Sequence, residues 1–277
     1  MPADDDTLRI VVQERRKCVI STEDLERVAA LSWRALDEQQ LGEWLLRSAD
    51  GFTGRANSAL AIGDPGMPAE QAVDRVRGWY ENRGLPAMIS LPYPVGEPCR
   101  NPLDVLLDGR GWTIRAGAAT VMVARADTVT AEAFTSAAAP GGPDKVEIDA
   151  FPDGGWLNRY HYRGQQLPAI AISLLTSAPW QAFASVRSEQ GETIAIGRVA
   201  AAGGWAGLTA IEVDPRQRRR GLAAAITAAL AAAAAGQGAG RLYLQVEDDN
   251  AAARALYRKL GFAEHHGYHY RVAPLAG

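Results

Sequence analysis

A chain of 277 residues is long for one hydrophobic core and of a size for two domains of ordinary length. Hydrophobic residues make up 47% and charged residues 22%, with a net charge of −3, a balance that gives no reason to expect nucleic acid or an anionic membrane as a partner. No run nears the roughly 18 apolar residues of a membrane span, the start from Met1 to Asp6 is unlike a signal peptide, and Cys18 and Cys99 stand apart from any metal-ligand grouping, so a cytoplasmic protein with reduced thiols and no metal is expected.

In chain order, Leu8 to Val12 is a short β-prone run, and Ser21 or Thr22 can cap a helix carrying Leu25, Val28, Leu31 and Leu36. Residues Glu38 to Arg47 continue in helical spacing. The segment Gly51-Phe52-Thr53-Gly54-Arg55-Ala56-Asn57-Ser58 breaks that pattern, and Ala59 to Ile62 reads as a strand ended by the turn Gly63-Asp64-Pro65-Gly66. Pro68 opens a helix to about Asn82, with Ala72, Val73 and Val76 inward. Ala87 to Leu91 is a buried strand, Pro92 to Pro98 a loop, Asn101 to Leu107 a short helix, and Ala118 to Ala124 a strand. Thr128 to Asp144, with Ala137-Ala138-Ala139-Pro140-Gly141-Gly142-Pro143, reads as an exposed linker between domains spanning 1–127 and 145–277.

The second part begins with a strand in Lys145 to Phe151 and short helices in Trp156 to Tyr162 and Leu167 to Leu175. A strand pair follows in Gln181 to Arg187 and Thr193 to Ala201, then a strand from Trp205 to Val213. After Gly221 an alanine-rich helix places Leu222, Ile226 and Leu230 one turn apart and stops at Gly236. Arg241 to Glu247 is a strand, Asn250 to Leu260 a helix, and His265 to Val272 a last strand. This alternation argues for an α/β class with a parallel component at its centre.

At the junction Ile211 to Ala223 a strand feeds a helix N-terminus beside Arg218, Arg219 and Arg220. Unpartnered amides and a positive dipole end make such a junction an anion site, most naturally for phosphate or pyrophosphate. A solvated basic turn is the competing reading of the same residues.

Val213-x-Pro215-x-x-Arg218-x-x-Gly221-Leu222-Ala223 resembles the acetyl-coenzyme A loop of the GCN5-related N-acetyltransferases (GNAT). Asn250-Ala251-Ala252-Ala253 and Leu256-Tyr257-Arg258-Lys259-Leu260-Gly261-Phe262 are similar to that family's second hallmark, in the same order. The resemblance implies acetyl-coenzyme A as acyl donor. Amides from Arg219 to Ala223 and the guanidinium groups of Arg218 to Arg220 would hold its pyrophosphate. Backbone groups near Ile211 and Val213 would pair with the pantetheine and acetyl carbonyl, on a strand that splays from its neighbour. Asn250 would help bind the donor, and Tyr257 would be the general acid toward the departing thiolate. Direct attack by a primary amine would pass through a tetrahedral intermediate.

The chain departs from the family at the general base, where Gly207 and Gln245 occupy the positions that commonly carry glutamate. Glu247 shares a strand face with Gln245 and is the preferred base, Glu212 is second, and relay through water is third. His265, His266 and His269 read as surface and strand residues rather than a metal site.

Asn101-Pro102-Leu103 to Gly111-Trp112 echoes Asn250 to Phe262, so the first half reads as a degenerate repeat of the same fold. The whole then resembles the tandem acetyltransferases of actinobacteria: two GNAT-like domains, each a mixed, twisted sheet flanked by helices. In the first half Gly63-Asp64-Pro65-Gly66-Met67-Pro68 replaces the arginine loop and Leu107 stands for Tyr257, so one donor site per chain is expected. The acceptor is expected to be a small-molecule amine, with a protein N-terminus as the alternative, in a monomer or homodimer. A non-catalytic acyl-coenzyme A sensor is the rival function.

Overall fold

A computed structural model describes residues 20–137, 145–161 and 167–274. The expected strand at Leu8 to Val12, and Cys18, lie outside the described residues. Helix α1 (Thr22–Ser32) starts on Ser21, whose hydroxyl accepts from the Asp24 amide. Residues Glu38 to Arg47, expected to be helical, form a hairpin instead: β1 (Asp37–Leu41) and β2 (Trp44–Ser48) pair from Asp37↔Ser48 to Leu41↔Trp44. The turn explains this. Gly42 adopts φ 58, and a Cβ there would strike the backbone of Pro65, so a tight hairpin forms where only glycine fits. Trp44 and Leu46 then point into the core.

Strand β3 (Ala59–Leu60) leads to helix α2 (Ala69–Glu81), which buries Ala72, Val73, Val76, Trp79 and Tyr80. Strand β4 (Met88–Pro94) runs on through two prolines that the sequence suggested were loop, because β3 pairs only as far as Ser90 and leaves that edge needing no amide donors. Helix α3 (Pro102–Gly109) is capped by Asn101. After β5 (Thr113–Ile114) and β6 (Ala119–Arg125) the chain enters α4 (Ala126–Ala137). The expected linker is therefore helical from Thr128 to Ala137, with Val129 and Ala133 buried; its remainder, 138–144, lies outside the described residues.

The second half continues with β7 (Val146–Asp149), α5 (Gly154–Arg159), α6 (Ile170–Leu175), β8 (Trp180–Arg187), β9 (Thr193–Ala202) and β10 (Trp205–Val213). Helix α7 (Leu222–Gly236), strand β11 (Arg241–Glu247), helix α8 (Ala251–Lys259) and strand β12 (Ala263–Val272) complete it. Helices α4, α7 and α8 cover one face through Val129, Leu222, Ile226, Leu230 and Leu260.

All the described strands join one twelve-stranded sheet in the order β1-β2-β3-β4-β12-β6-β11-β10-β9-β8-β7, with β5 beside β12. The terminal strands are thus exchanged. β12, from the second half, pairs with β4 of the first, and β6, from the first half, pairs with β11 of the second. On the other face α1 and the 49–56 loop of the first half pack onto the second half, joining Trp33, Phe52 and Ala56 to Trp156, Leu174, Phe183 and Ile196 in one buried cluster. Arg198, fully buried, spans this junction: it donates to the carbonyls of Leu175 at 2.7 Å and Ser32 at 3.3 Å, and burial lowers its pKa to about 10. Among the described residues no helix is long and apolar enough to cross a membrane.

Candidate active site

Strands β10 and β11 run parallel and pair from Trp205↔Arg241 to Leu208↔Leu244, and no further. Beyond that point β10 stays with β9 and β11 stays with β6, so a wedge opens between them. A bulge between Thr209 and Glu212, with Ala210 at φ 53, marks where β10 turns away. Asp214 donates its amide to Ile194 on β9 at 2.8 Å, so alternation turns the Val213 N–H the other way, into the wedge. Ile211 and Val213, both half-buried, flank it.

At the mouth of the wedge Asp214 caps a short turn at Pro215–Gln217 and is held by Arg159 at 3.0 Å. Arg218 is extended, Arg219 has φ 65, and Gly221 at φ 78 is the N-cap of α7. The helical ladder begins with the Ala225 amide on the Gly221 carbonyl, no side chain caps the preceding amides, and no acidic residue sits in the first turn. A Cβ at Gly221 would meet open space, so it is the positive φ and not crowding that calls for glycine. Arg218, Arg219 and Arg220 are exposed around this end, Arg220 bonding Gln217. Leu222 is buried in the core, leaving its backbone alone to face a ligand, and Ala223 is half-buried. The arrangement suits a polyanion.

Asn250 caps α8, accepting from the Ala253 amide at 3.1 Å. Tyr257, one helical face further, is 8% exposed and packs edge-on against Phe262 in the same core cluster as Ile211, Val213 and Leu222. Burial pushes its hydroxyl up to about 12, which keeps it protonated at neutral pH.

The opposite face of β11 carries Tyr243, Gln245 and Glu247. Tyr243 explains the missing glutamate at Gly207: its ring lies over that position, where a Cβ would overlap the phenol. The Gln245 side-chain oxygen is buried with no hydrogen-bond partner. Glu247 is exposed at the strand end. Both line a cavity of about 170 Å³ whose other walls are Thr53, Gly54, Arg55, Arg115, Gly117, Ala119, Tyr268 and Tyr270. Glu212 points elsewhere, accepting from the His161 amide at 3.1 Å; burial raises its pKa, against the pull of that bond and of Arg159. Apart from Glu247 and Gln245, this cavity wall was not read as a site in the sequence. Arg55 lies in the segment from Gly51 to Ser58 that only broke the helical pattern, and Arg115 carries no local signal.

The histidines are strand residues but not surface ones. His266 is fully buried against Glu26 at 2.8 Å and His269 is buried against Asp104 at 3.0 Å. Cys99, Asp104 and His269 fall within 4.8 Å of one another, but Asp104 is already engaged by Arg271 at 2.7 Å.

In the first half the wedge between β3 and β4 holds a groove of about 620 Å³ lined by Glu23, Trp44, Gly63, Pro65, Met67 and Tyr93 among others. Its anion position is filled from within: the Glu43 carboxylate accepts from the Asp64 amide at 2.6 Å, and Pro68 stands at the N-cap of α2. Leu107 is fully buried in the core.

A splayed parallel pair beside an uncapped helix N-terminus is the arrangement that the resemblance to N-acetyltransferases implied, and the comparisons place the chain among acetyltransferases. The family model described as probable histone acetyltransferase Rv0428c C-terminal matches residues 21–271. An uncharacterized N-acetyltransferase, YobR, from Bacillus subtilis strain 168 is 30% identical over 261 residues, covering 90% of this chain and 97% of that protein. Among solved structures, a tandem GNAT protein from the clavulanic acid biosynthesis pathway has TM-score 0.64 at 11% identity, covering 100% of this chain and 98% of that one. A GCN5-related N-acetyltransferase from Kribbella flavida has TM-score 0.62 at 16% identity, over 92% and 96%. The chain belongs to the Rv0428c C-terminal acetyltransferase family and, with it, to the GNAT superfamily. It is an acetyltransferase.

Proposed function

We propose that the protein transfers the acetyl group of acetyl-coenzyme A to a primary amine on a small molecule, using one donor site per chain. The observation that carries this reading is the wedge between β10 and β11, opening beside the uncapped start of α7. Amides at Arg219 to Ala223, with Arg218 to Arg220 around them, hold the donor's pyrophosphate; Asn250 flanks it. The Val213 N–H polarises the acetyl carbonyl and stabilises the oxyanion that forms on attack. Collapse of the tetrahedral intermediate releases the thiolate, and Tyr257, kept protonated by burial, returns the proton.

Glu247 is the base that takes the amine proton. It lines the same cavity as Gln245, whose unpaired oxygen supplies an acceptor for an amine N–H. The acceptor enters on this side because the first half roofs it, leaving about 170 Å³, a volume for a small molecule or the end of one side chain. The family description, probable histone acetyltransferase, names a protein acceptor, and a protein amine is the second reading.

Calorimetry with acetyl-coenzyme A should give one site per chain, and thiol release should follow addition of small amines. Two sites would return the first half to activity; binding without thiol release from any small amine or histone peptide would leave a sensor.

A further inference from the structure

Two arginines that line the acceptor cavity have no carboxylate bonded to them among the described residues. Arg55 and Arg115 both line it, and among the described residues neither makes an ion pair. The Arg55 guanidinium lies over the face of Trp33 at 4.9 Å. The Arg115 side chain meets the Met88 sulfur at 3.6 Å and the ring of Tyr270 at 5.8 Å. The acidic residue of the adjoining space, Glu26, is taken up by His266 at 2.8 Å. Glu247 and Gln245 line the same cavity from the strand that bounds the wedge.

The segment that presents Arg55 is held rigidly. Asn57 accepts from the amides of Ala49 at 2.9 Å and Gly51 at 2.8 Å, and donates to the carbonyls of Phe52 at 2.7 Å and Thr53 at 2.8 Å. Thr53 is fixed at φ 64, and its hydroxyl accepts from the Trp33 indole at 3.1 Å. Gly54 makes room for the second cation: a Cβ there would come within 2.7 Å of the Arg115 Nη1. A cation held in a half-enclosed space by a cross-braced loop, beside aromatic rings and with no carboxylate paired to it among the described residues, fits an anion that arrives from outside.

We propose that the acceptor is an amine that also bears an anionic group, a carboxylate or a phosphate monoester, which Arg55 and Arg115 bind while the amine lies toward Gln245 and Glu247. The inference rests on the acetyl-transfer reading for the amine end only. Arg55 and Arg115 are then the specificity-determining residues, supplied by the half of the chain that lost the donor site.

The test has a binding arm and a turnover arm. With coenzyme A saturating the pyrophosphate site, acetate and inorganic phosphate are titrated separately while tryptophan fluorescence is followed, Trp33 lying against Arg55. A saturable change with one of them is expected, naming the anion, and it should be lost in Arg55→Ala and weakened in Arg55→Lys and Gly54→Ala. Thiol release is then compared between β-alanine and propylamine, and between phosphoethanolamine and ethanolamine. The anionic member should be favoured by about tenfold or more in kcat/KM, and Arg55→Ala and Arg115→Gln should erase that preference while acetyl-coenzyme A still binds. Absence of saturable binding of either anion overturns the proposal, as does equal turnover within both pairs. Failure to bind acetyl-coenzyme A would instead sink the transferase reading, and the anion titration still decides this one.

Discussion

At the scale of single residues, Tyr257 and Glu247 carry the chemistry proposed above. Tyr257→Phe keeps the packing against Phe262 and removes only the hydroxyl, so kcat should fall by about 100-fold or more with little change in the KM for acetyl-coenzyme A; steady-state kinetics check this. Glu247→Gln should cut turnover far more at neutral than at alkaline pH, where free amine no longer needs a base. Glu212→Gln tests a different property. Burial raises the Glu212 pKa, so its protonated form favours folding fully below the unfolded value, and that advantage fades as pH rises through the folded value. The variant should therefore gain stability over the wild type at pH 7 and lose that gain near pH 4, read as the difference in Tm at the two values.

At the scale of elements, the start of α7 separates binding from stability. Gly221→Asp puts a negative charge at the positive dipole end and strains a backbone whose φ of 78 calls for glycine. The Tm should fall, while affinity for acetyl-coenzyme A falls about tenfold or more through charge repulsion; Gly221→Ala shares the strain without the charge, so calorimetry and thermal melts on the pair separate the two effects. Most elements were legible in the sequence. Trp205–Val213 and Arg241–Glu247 are strands with the bounds their β-branched and apolar runs suggest, and Pro68 and Asn101 start helices as their residue types require. The hairpin at Asp37–Ser48 was misread because Leu41, Trp44 and Leu45 also fit a helical period. The alternative depended on Gly42 passing against Pro65, a contact distant in sequence.

At the scale of the molecule, the exchange of β6 and β12 ties the halves together, and Asp104 is one of its fastenings. From α3 of the first half it accepts bonds from Arg271 at 2.7 Å and His269 at 3.0 Å on β12 of the second. Burial works to raise its pKa, but the bonds from Arg271 and His269 outweigh it and hold the carboxyl below the ordinary range. The stability it supplies is present above the unfolded pKa and is lost as pH falls through the folded one. Asp104→Asn should cost about 2 kcal/mol at pH 7, with Arg271 keeping Asp108 and the Trp112 carbonyl, and the difference should shrink below pH 4 in denaturant melts.

The donor side proposed above was readable in the sequence. The amides, the arginines, Gly221 and Tyr257 all fall within one contiguous stretch of strands and helices, where spacing along the chain fixes spacing in space. The acceptor side was not. Its walls come from the 53–55 loop, Arg115, β11 and β12, which meet only because the terminal strands cross between halves and α1 with its following loop lies over the second half. No local periodicity encodes that meeting. It follows from burying the apolar faces of both halves in one continuous sheet, and only the tertiary structure could decide it.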